Sequence, residues 1–187
     1  MAAPSMGRSA KLNVQTFPRP PVAEPSPHHI QIKWHGQLIA DCTPGTAYWV
    51  LEMGHPPTYY FPPQSVRMPL STTPRTTFDE FRGAATYYSM MSPISAAETI
   101  NNRIWSYNEP PKEYEAIKGL LAFSCGPWEC YVNGERAHPH PGDYSGGWVT
   151  SDVEGMIKTH PQQPQHPMQQ QQQQWQPQPW DHQAGGY

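Results

Sequence analysis

The sequence predicts a mainly β domain of short antiparallel strands with one or two short helices, flanked by two disordered tails. Three observations point there. Apolar and polar residues alternate with period two, β-branched and aromatic runs are cut by Gly/Pro turns, and helical signals are scarce. The expected boundaries are residues 1–27 for the first tail, 28–158 for the domain and 159–187 for the second tail.

His29-Ile30-Gln31-Ile32-Lys33-Trp34 alternates as a half-buried strand does, His35-Gly36 supplies a turn, and Leu38 and Ala40 resume the pattern, which predicts a hairpin. Tyr48 to Glu52 and Thr58 to Phe61 read as strands around Gly54-His55-Pro56-Pro57, since proline removes a ladder donor and marks a loop. Arg75 to Phe78 and Ala85 to Met90 read as two more, around Arg82-Gly83. Leu120 to Cys125 and Cys130 to Val132 flank Gly126-Pro127-Trp128-Glu129, a loop expected to bring Cys125 and Cys130 together across a hairpin. Asn133-Gly134 is a type I′ turn signal. Helix is expected over Pro111 to Ile117, with Pro early and acids in the first turn, and a second short helix over Ser95 to Asn102.

The tails follow from composition. Residues 1–27 hold six prolines; residues 161–187 hold five, with the run Gln169 to Gln174 and one carboxylate, Asp181. Neither stretch carries enough apolar surface to offset the entropy of ordering, so removing both is expected to leave melting nearly unchanged. Twelve Lys and Arg against fifteen Asp and Glu give a net charge of −3 without a basic stripe, which argues against a nucleic-acid partner. No apolar run reaches the ~20 residues that cross a bilayer, and the N-terminus has no secretory apolar core. Arg8, Lys11 and Arg19 among Ser and Thr faintly resemble a transit peptide, but six prolines oppose its amphipathic helix. The expectation is a soluble, cytoplasmic protein, with the nucleus also admitted. Cys42, Cys125 and Cys130 are expected as reduced thiols, ahead of a disulfide, and no paired short spacing builds a zinc site.

The segments Ile32-Lys33-Trp34-His35-Gly36, His55 to Pro62, Arg82 to Ser89, Trp105-Ser106-Tyr107 and Val132 to Arg136 stand in the order found in the family catalogued as domain of unknown function 427, which this chain resembles over about His28 to Lys158. Gly142 to Thr150 is similar to the end of its longer members. The resemblance implies a single β-tent, Mss4-like domain that lacks the zinc of its relatives. The nucleotidyltransferase-like label of that family finds no support: a Gly-Ser turn with paired aspartates and a phosphate-cradling Gly-rich loop are both missing. Asp79-Glu80 stands where family members often carry Cys-Glu or Cys-Pro, so a cysteine-dependent mechanism is not expected; Tyr88 stands where many have Trp.

The candidate ligand-binding residues are Tyr60, Arg67, Arg82, Tyr88, Trp105, Tyr107 and Lys118: aromatic walls, tyrosine hydroxyls and a guanidinium fork suited to a carboxylate or phosphate. Each also has an ordinary reading, as core aromatics, as a turn guanidinium paired with Asp79 or Glu80, and as a solvated lysine. The leading expectation is a small-molecule or peptide-binding β domain needing no cofactor and no metal. One alternative is a metal-independent enzyme on a small polar metabolite using Glu80, Arg82 and a tyrosine, with His55 as another candidate base. That alternative requires Glu80 to face Arg82 and the tyrosines. Another is an interaction protein whose tails recruit partners. Oligomeric state is left open.

Overall fold

The structure, a computed structural model, describes residues 10–143 and 145–158. Its first strands are β1 (Leu12–Asn13), β2 (Val22–Pro25), β3 (Ile30–Trp34), β4 (Gln37–Cys42), β5 (Tyr48–Leu51), β6 (Thr58–Phe61), β7 (Leu70–Asp79) and β8 (Gly83–Met91). They continue with β9 (Thr99–Tyr107), β10 (Leu121–Phe123), β11 (Glu129–Val132), β12 (Glu135–Arg136), β13 (His138–Pro139), β14 (Trp148–Val149) and β15 (Val153–Glu154). Seven strands form one antiparallel sheet in the order β2-β5-β6-β10-β9-β8-β7, and four form a second in the order β12-β11-β3-β4. The protein is mainly β and antiparallel, as the alternating pattern predicts.

The β3–β4 hairpin turns on His35 and Gly36, at φ of 49° and 74°. That left-handed pair matches the right-handed twist of the flanking strands. Asn133-Gly134 does the same between β11 and β12. Ile30, Ile32 and Trp34 of β3 enter one core with Tyr59 and Phe61 of β6, Ile104 of β9 and Phe123 of β10. The two sheets therefore bury their facing sides against each other. A smaller cluster lies on the other face of the larger sheet, where Val50, Tyr60, Ala85, Tyr107 and Ala122 meet Tyr114 and Ile117.

Four expectations change. Residues 10–27 are not a tail: β2 pairs with β5 from Val22↔Leu51 to Pro25↔Tyr48, Val14 and Phe17 are buried, and the Tyr114 hydroxyl donates to Pro21 O at 2.7 Å. Proline is tolerated because β2 is an edge strand, where one side of the backbone needs no ladder donor. The expected helix at Ser95 to Asn102 is instead a turn, closed by Glu98 N–H donating to Ser95 O, followed by the first residues of β9, which pair with β8. Pro111 to Ile117 contains only a 3-10 turn, Lys112–Ile117, broken at Tyr114. Finally, β10 and β11 make no hairpin: β10 belongs to the large sheet and β11 to the small one, so the loop between them crosses the core. The expectation for residues 159–187 lies outside the described residues.

A chain starting at residue 28 is expected to be less stable than one starting at residue 10 by about 3 kcal/mol or more, from losing the burial of Val14 and Phe17 alone. Equal unfolding midpoints in urea would show residues 10–27 to be dispensable.

Candidate functional site

The larger sheet turns one face to the core and the other to a cleft of about 830 Å³. Successive strand side chains point to opposite faces, so Arg103, Trp105 and Tyr107 of β9 share this cleft with Tyr60 of β6 and Tyr87 of β8. Tyr60 and Tyr107 are buried at its floor, and Trp105 lies beside Tyr87 with ring centroids 6.3 Å apart. Burial pushes the Tyr60 phenol up to about 12, and burial likewise pushes Tyr107 up, so both are neutral hydroxyls at physiological pH.

Arg82 anchors one end. Asp79, at the end of β7, accepts the backbone N–H groups of Phe81 and Arg82 at 2.9 and 2.8 Å and closes the turn into β8. Its two oxygens also accept Arg82 Nε at 3.2 Å and Nη2 at 2.8 Å, while Glu52 lies 3.5 Å from Nη2. Burial works against the Asp79 charge, but these Arg82 and backbone donors overcome it and hold the carboxyl below its usual range. Arg82 Cζ stands 5.8 Å from the Tyr107 centroid. Its guanidinium is therefore already neutralised by protein carboxylates and positions the floor more than it offers itself to a ligand.

The opposite wall comes from the end of the described chain. Ser145, Gly146 and Lys158 line the cleft. A Cβ on Gly146 would stand 1.9 Å from Trp105 Cη2, and one on Gly147 would stand 2.6 Å from Pro56 O, so only glycine lets this segment lie so close. His140 is fully buried behind it. Its Nε2 meets the Lys158 carbonyl oxygen, which can only accept, so Nε2 carries the proton and Nδ1 accepts the Ser145 hydroxyl proton. The His55 ring lies 5.8 Å from that of His140, and burial holds both imidazoles below their ordinary value.

The charges in the cleft are unevenly matched. Arg103 pairs with Asp143 and donates Nε to Gly126 O at 3.0 Å, and Arg19 approaches Glu80 at 3.6 Å. Arg75 stacks 4.9 Å over Tyr87, and neither it nor Lys158 has a salt bridge among the described residues.

Of the residues named from sequence, Tyr60, Arg82, Trp105, Tyr107, His55 and Glu80 all border this cleft. Glu80, however, is 70% exposed and turned to Arg19, so it does not meet the condition set for a catalytic base acting with Arg82. Three others lie elsewhere. Tyr88 faces the other side of the sheet, its hydroxyl 2.8 Å from Ser106 Oγ, because neighbouring strand residues point oppositely. Arg67 is exposed beside Ile39, and exposed Lys118 lies 3.8 Å from Glu115. Glu52, Arg75, Arg103, Ser145 and Lys158 were not anticipated. Period two running back from Tyr107 and Trp105 points to Arg103; nothing local marks the others. Among the described residues no group of three or more His, Cys, Asp or Glu could hold a metal ion, and no helix is long and apolar enough to cross a membrane.

Residues 22–134 match the model of the family described as Domain of unknown function (DUF427), and the chain belongs to that family. No curated protein matches the chain. The family match includes the floor of the cleft and Arg82 but stops short of His140, Ser145 and Lys158.

Arg82→Ala should strand Asp79 and Glu52 and cost about 3–5 kcal/mol in urea unfolding, with Arg82→Lys recovering only part, since an ammonium lacks the planar fork. A loss below ~1 kcal/mol would mean that the cluster is effectively solvated.

Proposed function

We propose, for this member of the DUF427 family, that the cleft binds a small polar ligand or short peptide end carrying a planar group and a carboxylate or phosphate. The observation that carries this reading is the pairing of aromatic surface from Trp105 and Tyr87 with two cations, Arg75 and Lys158, that have no carboxylate partner among the described residues. A cleft of this size matches the usual volume of ligand sites, ~300–1,000 Å³. Planar rings stack on the aromatic pair, and the cations attract the acidic group. The two packed antiparallel sheets support reading the fold as a β-tent, and an odd number of cysteines supports a reducing, intracellular setting.

A thermal-shift screen over nucleotides, acidic sugars, amino acids and acidic peptides tests this reading. A ligand at a hundredfold its Kd adds about 2.7 kcal/mol, enough to raise Tm by several degrees. Trp105→Ala and Arg75→Ala should each abolish the shift. A shift that persists in both variants would place the site elsewhere.

A second reading has its own observation. Ser145 faces the cleft with its hydroxyl proton directed at neutral His140, the arrangement by which imidazole activates a serine for attack on an acyl carbon. Loss of the proton to Nδ1 frees the alkoxide to attack, and the resulting imidazolium then protonates the leaving group. A fluorophosphonate should label Ser145 in the folded chain, located by peptide mass spectrometry, and His140→Gln should suppress labelling. Labelling no faster than in urea-unfolded chain would remove the nucleophilic reading and leave binding as the function of the cleft.

A further inference from the structure

The three cysteines sit in different environments. Cys42 is buried in the core, and burial pushes its thiol up. Cys130 is fully buried on β11, while Cys125 is only partly buried in the loop that crosses from β10 to β11. Both meet Ala137: Cys125 Sγ lies 3.4 Å from Ala137 O, and Ala137 N donates to Cys130 O at 2.8 Å. Both side chains also belong to one core cluster, Cys130 inside it and Cys125 packed against it. This juxtaposition arises although no hairpin joins their strands.

The two thiols are unequal. The neighbouring Cys130 side chain is the largest influence on Cys125; it outweighs desolvation and, with the nearby charges of Arg136 and Arg103, lowers that thiol below its ordinary value. Burial and the neighbouring Cys125 raise Cys130. Cys125 is thus the less buried and the more acidic of the two, and Cys130 is shielded near it. An attacking and a resolving thiol need this division.

We propose that Cys125 and Cys130 form a thiol–disulfide exchange site that takes low-molecular-weight disulfides. The Cys125 thiolate attacks one sulfur of the small disulfide, forming a mixed disulfide and expelling one thiolate, which takes up a proton. Cys130 gives up its proton and attacks the Cys125 sulfur, expelling the second small thiol and closing a Cys125–Cys130 bond. Two protein thiols are oxidised, one small disulfide is reduced to two thiols, and the two protein protons end on them. The site is independent of the cleft reading: it needs only the two sulfurs and access to Cys125.

The test uses the full chain, reduced and then exposed to oxidised glutathione, with intact mass and peptide mapping after alkylation. The expected product has lost two hydrogens, links Cys125 to Cys130 and leaves Cys42 free to be alkylated after unfolding. Cys130→Ser should stop the reaction at a glutathione adduct on Cys125, and Cys125→Ser should give no adduct at Cys130. Stable accumulation of the Cys125 adduct in the natural chain would overturn the proposal, as would reaction of Cys42 as fast as Cys125. The natural-chain measurement decides the matter even if a variant fails to fold.

Discussion

Between the sheets, aromatic rings touch in series. Trp34 meets Trp128 at 5.7 Å, Trp128 meets Phe123 at 5.6 Å, Phe123 meets Phe61 at 5.4 Å, and Phe61 meets Trp148 at 6.0 Å. Trp148 then meets Tyr59 at 5.2 Å, and Tyr59 leans toward Trp49. The first three of these contacts are edge-to-face, a geometry that adds about 0.5–1.5 kcal/mol each beyond the area buried. Two of the indoles also donate to backbone carbonyls, Trp128 to Ser124 O at 2.8 Å and Trp148 to Phe123 O at 2.9 Å. Those bonds hold the end of β10 and the loop after it. The chain can therefore leave one sheet and enter the other, carrying Ser124 to the cleft and Cys125 to Cys130.

The two flanks meet at Gly54. Its N–H donates to Val14 O at 2.8 Å, and its carbonyl accepts the N–H of Lys158 at the same distance. Gly54 lies at φ +83°, and a side chain there would strike Lys158 Cε at 2.8 Å. Residues from both ends of the described chain thus converge on the loop that presents His55 and Pro56 to the cleft. β1 pairs in parallel with β15 and reinforces the same closure. Residues 10–27, which look dispensable by composition, thus brace that loop through Val14 and bring Arg19 to the cleft.

Within the cleft, electrostatics separate structural from available charge. Arg82 is held by Asp79 and Glu52, and Arg103 by Asp143. A charge bound this way has already exchanged water for protein oxygens, and a ligand would have to displace those contacts to use it. Arg75, stacked on Tyr87, and Lys158, at the far wall, carry no such competing salt bridge among the described residues. The neutral tyrosines and imidazoles between them supply hydrogen bonds without adding a second sign of charge.

Local pattern was enough for the strand content and several turns. The alternation in Ile30 to Trp34, the pair Asn133-Gly134 and the prolines at Pro56-Pro57 each encode their own backbone geometry. Half of the candidate site was legible for the same reason, since Tyr60, Trp105, Tyr107 and Arg82 lie on or beside strands whose parity can be read. The remainder depended on partners distant in sequence. Residues 22–25, in a flank rich in proline, become a strand only because β5 offers an edge, and Thr99 to Tyr107 extends because β8 pairs along its length while β10 takes Ile104 and Trp105 on the other side. Tyr88 differs from Tyr87 only in the face it takes, and Ser145 gains significance only from His140 beside it. The sequence by itself determined a mainly β domain with aromatic chemistry. Tertiary structure alone decided that residues 10–27 belong to it and which charges the cleft leaves open, because both rest on hydrogen bonds and ion pairs between residues far apart in the chain.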